Sequence, residues 1–283
     1  MQHNKLTIVA VYGHNNGASV IPALQKSVEE LPGSQGLLLS LARPPMLPDN
    51  IEHRSIFSLD YYQYSWFMMY SLHNFIDTDF ALVVQDDGWV IDGKNFLPEY
   101  YDYDYIGAIT HCALTNEQYH YNWSWRNVDE PMYVIQNGGF SLRSKRFLEA
   151  PSKFGVMHQT FNVQPFCNED VQLTSFLRPK LESLGMKYAS LDVAKHFAAE
   201  YFCPGVHNDL QMDRVFGIHG QSRKLIDKDK VLVLIKDVEL EEQYREEEFL
   251  SFLESKGYEL TYERLPKTAQ DGTEEAGQAV LAG

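Results

Sequence analysis

Short apolar runs alternate with longer segments of helical composition along the first third of the chain. Residues 6–12 and 36–41 are continuous apolar runs, which suit strands that are covered on both faces. Residues 19–31, with Pro22 in the first turn, and the aromatic segment 58–75 are typical of helices. Because strands and helices alternate, we predict an α/β protein with a mixed, mainly parallel sheet flanked by helices.

A further apolar run, residues 81–84, stops at two adjacent carboxylates, Asp86 and Asp87. In α/β sheets, ligands gather beyond the carboxyl ends of the strands, so we expect these acids at a crevice. Carboxylate oxygens suit Mg²⁺ or Mn²⁺, which complete their coordination with water and substrate phosphates. The pattern predicts a metal site that receives a diphosphate, with an ordinary Asp-Asp-Gly turn as the alternative.

Two more motifs follow this one along the chain. Gly138 and Gly139 come after an apolar stretch, and paired glycines let a backbone pass close to a ligand or adopt a positive φ. They form either the wall of a binding site or a plain hairpin turn. Glu169 and Asp170 open a segment with helical spacing over residues 171–177, where acids also serve as ordinary capping and dipole partners.

Together, the three motifs resemble those of glycosyltransferases with the GT-A fold. The nearest resemblance is to uncharacterised bacterial and phage glycosyltransferase-like proteins with the motifs Gln-Asp-Asp-Gly, Tyr-Asp-Tyr-Ile-Gly-Ala and Asn-Gly-Gly-Phe-Ser-Leu-Arg-Ser, here residues 85–88, 103–108 and 137–144. The resemblance covers roughly residues 5–225, and the joint occurrence is more specific than any single motif. It implies a GT-A-like (Rossmann-like) enzyme that transfers a sugar from a nucleotide-sugar donor, with UDP-sugars favoured, to a hydroxyl of an acceptor such as a glycan.

The resemblance also implies a metal site. In this superfamily an Asp-X-Asp motif holds the metal and the nucleotide diphosphate, so Asp87 is expected to bind Mn²⁺ or Mg²⁺. Gln85 stands where the first carboxylate often stands, and Asp86 therefore contacts either the metal or the ribose. Many members place a late histidine on the metal or the diphosphate, which implies His219, with His207 as its competitor.

The catalytic and donor-binding residues follow from the same resemblance. The acid of the last motif serves as base in inverting members, which implies Asp170, with Glu169 behind it. Residues after the first strand and on the helix before the metal motif flank the nucleotide, which implies stacking or ribose contacts for Tyr12, Tyr61 and Tyr64. An aromatic stripe at helical spacing is, however, also typical of core packing.

The segment 115–126 is dense in aromatic and amide side chains. Carbohydrates have flat apolar faces ringed by hydroxyls, and aromatic rings beside hydrogen-bonding groups complement both features. We therefore hypothesise that Trp123 and Trp125 line a sugar subsite, with ordinary packing under a loop as the alternative.

The charge of the chain bears on its partners. A formal net charge of -15 over 283 residues argues against a nucleic-acid or anionic-membrane partner, because such binding depends on basic clusters. Two small basic clusters could face phosphates, but a solvated face is the favoured interpretation; they comprise Arg143, Lys145 and Arg146, and Arg223 with Lys224.

Cysteines and targeting features indicate a cytoplasmic protein. Cys112, Cys167 and Cys203 are odd in number and widely spaced, which argues against zinc and a disulfide scaffold. The N-terminus lacks the features of a signal peptide, and no run reaches the roughly 20 apolar residues of a membrane helix.

The sequence suggests three regions. Residues 1–225 form the catalytic domain, residues 226–265 a small β-α-β extension, and residues 266–283 a disordered tail with too few apolar residues for a core. Three other functions remain open at this stage: a glycosyltransferase that acts on modified phage DNA bases, a non-catalytic carbohydrate-binding protein, and a metal-dependent phosphoester hydrolase.

Overall fold

The structure, a computed structural model, describes residues 2–14, 17–115, 118–160, 166–220, 222–235 and 244–263. Its strands are β1 (Leu6–Tyr12), β2 (Gln35–Ser40), β3 (Ile51–Ser55), β4 (Phe80–Val83), β5 (Gly88–Val90), β6 (Tyr105–Leu114), β7 (Tyr119–His120), β8 (Tyr133–Ser144), β9 (Ala198–Ala199), β10 (Gly217–His219), β11 (Arg223–Asp227), β12 (Leu232–Ile235) and β13 (Glu259–Tyr262). Its helices are α1 (Ile21–Glu30), α2 (Tyr61–Tyr70), α3 (Lys145–Phe154), α4 (Glu169–Val171), α5 (Arg178–Ser183), α6 (Leu191–Phe197) and α7 (Glu246–Ser255). Within these ranges, no helix combines the length and apolar character needed to cross a membrane.

A seven-stranded sheet forms the centre of the molecule, in the order β3-β2-β1-β4-β8-β6-β7. The first four strands of this order pair in parallel, whereas β8 runs antiparallel to both β4 and β6, and β7 antiparallel to β6. β1, β2, β3, β4 and β6 therefore share one direction, which β7 and β8 oppose. This arrangement confirms the predicted mixed, mainly parallel α/β fold.

The apolar runs form strands because both faces of the sheet are covered. On one face, Ile8 of β1 packs in a buried cluster with Leu24 of α1. On the other face, Val9 packs in a second cluster with Met68 of α2. Successive residues of a strand point to opposite faces, so a strand between two helical layers needs apolar residues at every position.

The aromatic helix is shorter than the sequence predicted. α2 begins at Tyr61 because Asp60 forms a capping box with Gln63: Gln63 N donates to Asp60 Oδ1 at 2.8 Å, and Asp60 N donates to Gln63 Oε1 at 2.9 Å. After α2 the chain continues as a 3₁₀ helix, Leu72–Phe75. The predicted range 58–75 therefore contains two elements and the turn before them.

A second sheet, β5-β10-β9, lies at the carboxyl end of β4. β10 pairs antiparallel with β5, which sets His219 opposite Gly88. β5 follows the two carboxylates after β4, so this pairing brings a late part of the chain against the acidic motif.

The third sheet, β11-β12-β13, is the predicted C-terminal β-α-β unit with one additional strand. β12 and β13 are parallel and are joined through α7. β11, which is antiparallel to β12, was not predicted. The division of the chain at residue 225 stays a prediction, and the tail 266–283 lies outside the described residues.

Candidate active site

The acidic motif forms a tight turn between β4 and β5. Gln85 N donates to Gly88 O and Gly88 N donates to Gln85 O, both at 3.1 Å. Asp86 and Asp87 are the two central residues of this turn, so the turn interpretation describes the backbone correctly. The same turn also presents both carboxylates at the carboxyl end of β4, where the α/β architecture favours a ligand site.

Asp87 faces His219 at this end of the sheet. His219 Nε2 lies 3.6 Å from Asp87 Oδ1, and His219 Nδ1 lies 3.6 Å from Glu200 Oε1. Burial raises the pKa of Asp87, although the neighbouring imidazole opposes the rise. Burial alone would lower the pKa of His219, but Asp87 and Glu200 raise it to about 9. The histidine is therefore held between two acids.

Asp86 has different partners from Asp87. Lys224 Nζ forms an ion pair with Asp86 Oδ2 at 2.7 Å, and Tyr12 OH donates to the same oxygen at 3.4 Å. The backbone of β11 reinforces this contact, since Leu225 N donates to Asp86 O at 3.1 Å. Tyr12 and Asp86 therefore form a separate cluster with Lys224 beside the Asp87–His219 pair.

Gly138 and Gly139 lie within β8, and neither has a positive φ. The hairpin interpretation is therefore wrong, and close approach explains both glycines. A Cβ on Gly138 would lie 2.5 Å from Glu169 Oε1, and a Cβ on Gly139 would overlap His219 Nε2 and Gln85 Oε1. Glycine is needed because functional side chains pack directly against the backbone of this strand.

Glu169 and Asp170 make up most of the short helix α4, which continues as a π-helix, Gln172–Phe176, instead of the predicted regular helix. Gly138 N donates to Asp170 Oδ2 at 3.0 Å. Burial and the charge of Glu169 raise the pKa of Asp170 to about 7, against the opposing effect of its backbone donors. Asp170 thus has the proton affinity of a general base near neutral pH.

Glu169 is held by a buried cation. Arg143 Nη2 donates to Glu169 Oε1 at 2.9 Å and to Gly138 O at 3.1 Å, and the Arg143 side chain is 0% exposed. A buried ion pair of this kind fixes geometry, because removing either partner leaves an uncompensated charge. Glu169 is therefore a neighbour of Asp170 with its own fixed partner.

These segments enclose one cavity of about 160 Å³. Tyr61 OH donates to Asn168 Oδ1 at 2.6 Å and Gln85 Nε2 donates to Tyr64 OH at 3.0 Å, so α2 closes one side. The lining residues come from α2, the acidic turn, β8, α4 and β10, and they are Tyr61, Tyr64, Ser65, Gln85, Asp87, Asn137, Gly139, Asn168, Glu169, Asp170 and His219. Gly138 does not line the cavity, but its backbone N–H donates to Asp170, which does.

Some expected residues lie elsewhere. His207 Nδ1 accepts from Cys203 N at 3.0 Å, its ring packs against Phe202 and Trp123, and burial lowers its pKa to about 4. Trp125 is buried in the main core, with the Trp123 ring 5.9 Å away. Neither tryptophan lines the cavity, and packing is the better account of Trp125.

The predicted solvated faces are wrong for Arg143 and Arg223, whereas Arg146 is exposed and Lys145 and Lys224 are partly exposed. Arg143 and Arg223 are buried, with Glu169 and Glu246 as their partners. Lys145 donates to backbone carbonyls, Arg146 pairs with Asp104, and Lys224 pairs with Asp86. Pairing with a nearby acid or carbonyl explains these positions, because an unpaired charge is costly to bury.

Four residues that line the cavity received no role from the sequence: Ser65, Gln85, Asn137 and Asn168. Gln85 and Asn137 begin two of the motifs, Asn168 directly precedes Glu169, and Ser65 lies next to Tyr64, so adjacency to predicted residues was the available signal. Glu200 belongs to no motif, and its place beside His219 depends on the pairing of β9 with β10.

Asp87 and His219 have the chemistry to hold a divalent cation. Asp87 Oδ1 is buried and accepts no hydrogen bond, and His219 Nε2 faces it. A carboxylate oxygen with an imidazole nitrogen suits Mn²⁺, and Mg²⁺ is commonly held by one or two carboxylates plus phosphates. Over the part of the chain that the structure describes, no group of three or more His, Cys, Asp or Glu side chains could hold a metal by itself.

The fold and this cavity define an α/β protein with a carboxylate-lined site at the carboxyl end of its central sheet. Residues 52–219 match the family described as "Protein of unknown function (DUF5672)", and the chain belongs to this family. No curated protein matches the sequence. Among solved structures, galactosyltransferase LgtC in complex with donor and acceptor sugar analogues is similar, with a TM-score of 0.45 and 15% identity over 88% of this chain and 95% of that chain. So distant a likeness says nothing about activity.

Proposed function

We propose that the protein is a metal-dependent glycosyltransferase that moves a sugar from a nucleotide-sugar donor to an acceptor hydroxyl. The proposal rests on one observation: Asp87, His219 and Asp170 line the same cavity. These residues come from three distant segments, and a metal site and a base within one cavity are what such a transfer needs. The motif resemblance to GT-A glycosyltransferases supports the same function.

In this proposal, Asp87 and His219 hold Mn²⁺ or Mg²⁺. A bound divalent cation would stabilise the negative charge that develops on the departing nucleoside diphosphate. Asp86 lies next in sequence but pairs with Lys224, which favours a role at the ribose or diphosphate over direct coordination. The Asp87 oxygen that accepts no hydrogen bond is the atom best suited to coordinate the cation.

Asp170 is the proposed base. Its raised pKa, about 7, lets it take a proton from an acceptor hydroxyl near neutral pH. Glu169, which pairs with Arg143, positions Asp170 and raises its pKa. A base that activates the acceptor directly implies inversion at the anomeric carbon, and proton NMR of the first-formed product tests this point.

The donor is proposed to be a UDP-sugar and the acceptor a glycan. Tyr61 and Tyr64 line the cavity, and Tyr12 lies beside Asp86, so these rings are candidates for nucleotide contacts. Gly138 and Gly139 would let a sugar lie against the backbone of β8.

A thermal-shift screen tests the donor site. UDP-, GDP-, CMP- and dTDP-sugars are added with and without Mn²⁺ to the wild type, to Asp87→Ala and to a control variant, Asp77→Ala. Asp77 is an exposed acid just before β4, at the other end of that strand. We expect one nucleotide to raise Tm, in a manner that needs both Mn²⁺ and Asp87, because a ligand that binds the native state stabilises it by mass action. Absence of any shift would contradict the proposal.

A further inference from the structure

A larger groove lies next to the catalytic cavity, on the outer face of α2. Its volume is about 620 Å³, within the range of roughly 300–1,000 Å³ for small-molecule sites. We name it the α2 groove and define it by Tyr62, Gln63, Trp66, Tyr70, His158 and Cys167.

The aromatic rings of the α2 groove form an ordered surface. Tyr62, Trp66 and Tyr70 are spaced by four residues and therefore lie on one face of α2. The Trp66 ring lies 5.9 Å from the Tyr70 ring and 6.0 Å from the His158 ring. Tyr70 OH donates to Val156 O at 3.1 Å and accepts from His158 N at 2.6 Å, so the back of the groove is fixed.

Core packing does not account for this surface. Tyr62 and Trp66 are 50% and 52% exposed, whereas the opposite side of α2 already buries Met68. Large apolar side chains that stay exposed together mark binding sites more often than packing defects.

The chemistry of the lining favours an uncharged ligand. Among the described residues, no Asp, Glu, Lys or Arg lines the groove, although the whole chain is strongly acidic. Gln63, Ser71 and Thr160 add amide and hydroxyl groups beside the rings. Rings next to neutral hydrogen-bonding groups match the apolar faces and peripheral hydroxyls of a saccharide.

The α2 groove lies next to the cavity that contains Asp170. Tyr61 lines the cavity, and its ring lies 5.8 Å from the ring of Tyr62 in the groove. On the opposite wall, Asn168 of the cavity is adjacent in sequence to Cys167 of the groove. Tyr61 and Asn168, which share a hydrogen bond, therefore form the boundary between the groove and the cavity that contains Asp170.

We infer that the α2 groove binds the body of a neutral oligosaccharide acceptor, which extends one hydroxyl into the cavity near Asp170. This inference rests on the proposed function, since it names the class of acceptor for that site. Trp66 is a specificity-determining residue in this view. It holds sugar rings and takes no part in proton transfer.

Saccharide binding to the full chain tests the inference. Cellotetraose, maltotetraose, chitotetraose and lacto-N-neotetraose are titrated by saturation-transfer NMR, with sialyllactose and n-octanol as charged and apolar probes. The variants are Trp66→Ala, Trp66→Phe and Phe154→Ala, a control at an exposed aromatic residue that does not line the groove. We expect at least one neutral oligosaccharide to bind, with about tenfold weaker affinity in Trp66→Ala and affinity close to that of the wild type in the other two variants.

The same samples are screened with nucleotide sugars and Mn²⁺, which separates the two proposals. If nucleotide stabilisation is present, but no neutral oligosaccharide binds or Trp66→Ala binds as well as the wild type, the inference about the groove is wrong. Preferential binding of sialyllactose or n-octanol would overturn it as well. If Trp66-dependent saccharide binding is present and nucleotide stabilisation is absent, the proposed transferase function fails and the saccharide site stands.

Discussion

Gly139 passes so close to His219 that a single methyl group on the glycine would overlap Nε2 of the imidazole. The same methyl group would overlap Oε1 of Gln85. β8 therefore serves as the floor under the Asp87–His219 pair. Its neighbour Gly138 has the equivalent relationship with Glu169 and Asp170, so two adjacent glycines support two different halves of the cavity.

The two glycines should separate these halves by mutation. We expect Gly139→Ala to abolish metal-dependent stabilisation by the nucleotide, because the methyl group displaces His219. Gly138→Ala should retain that stabilisation and lose transfer, because the methyl group overlaps the Glu169–Arg143 ion pair and crowds the Cβ of Asp170. Each change should cost about 1–3 kcal/mol of folding stability as overpacking. Urea unfolding and the thermal-shift screen measure both effects, and identical nucleotide binding in the two variants would contradict this assignment.

Asp170→Asn should lower sugar transfer by about 10²–10⁴-fold, the usual contribution of a general base. Donor binding should persist, since Asp170 lies beside Gly138 and has no contact with Asp87 among the hydrogen bonds and ion pairs of the site. Product formation with saturating donor and acceptor measures the first effect, and donor titration measures the second. Transfer at the wild-type rate would show that Asp170 is not the general base.

The rate of transfer should rise with pH through about 7. Burial and the charge of Glu169 raise the pKa of Asp170 to about 7, so the carboxyl is protonated and inactive as a base at lower pH. Glu169→Gln removes the neighbouring charge and should shift this limb of the profile to lower pH. The measurement is kcat/KM from pH 5 to 9, which spans this titration. If kcat/KM rises at the same pH in Glu169→Gln as in the wild type, a group other than Asp170 titrates.

Glu169→Gln should also destabilise the fold, because the Arg143 guanidinium stays buried without a charged partner. Breaking a buried pair by removing one partner costs about 3–5 kcal/mol. Glu182→Gln is the matched control, since Glu182 pairs with Arg178 on a more exposed helix face, where a pair contributes up to about 1 kcal/mol. Equal unfolding free energies for the two variants would contradict the structural role of Arg143.

Glu200→Gln should lower the pKa of His219 in the metal-free protein, because one of its two neighbouring acids loses its charge. NMR titration of the His219 ring protons measures this change directly. A carboxylate behind a metal-binding histidine also orients the ring, and its loss commonly costs about 10–100-fold in metal affinity. Mn²⁺ titration followed by EPR tests that part, and an unchanged affinity would show that Glu200 does not orient the ring for metal binding.

The sequence predicted those strands and motifs that depend only on neighbouring residues. The apolar run before Asp86 forms β4, and the acids after it lie at the crevice, because a strand covered on both faces is apolar throughout. The glycines and the Glu169–Asp170 pair were likewise visible as motifs, and the structure brings them together with Asp87 and His219.

Other features depend on contacts between distant segments and left no local pattern. Glu200 reaches His219 because β9 pairs with β10, and nothing around residue 200 indicates that pairing. Arg143 was expected on a solvated face, since arginine is seldom buried. Its burial follows from Glu169, a partner 26 positions away.

The pairing of β5 with β10 has a consequence for synthesis on the ribosome. Asp87 is translated early, but its neighbour His219 and the backbone donors Gly220 N and Leu225 N that hold the acidic turn come more than 130 residues later. A nascent chain that already contains the whole central sheet therefore still lacks the residues that complete the cavity around Asp87. Under the proposed function, nucleotide binding would begin only after the last part of this pairing has left the exit tunnel, and an incomplete product would carry the central sheet without a complete donor site.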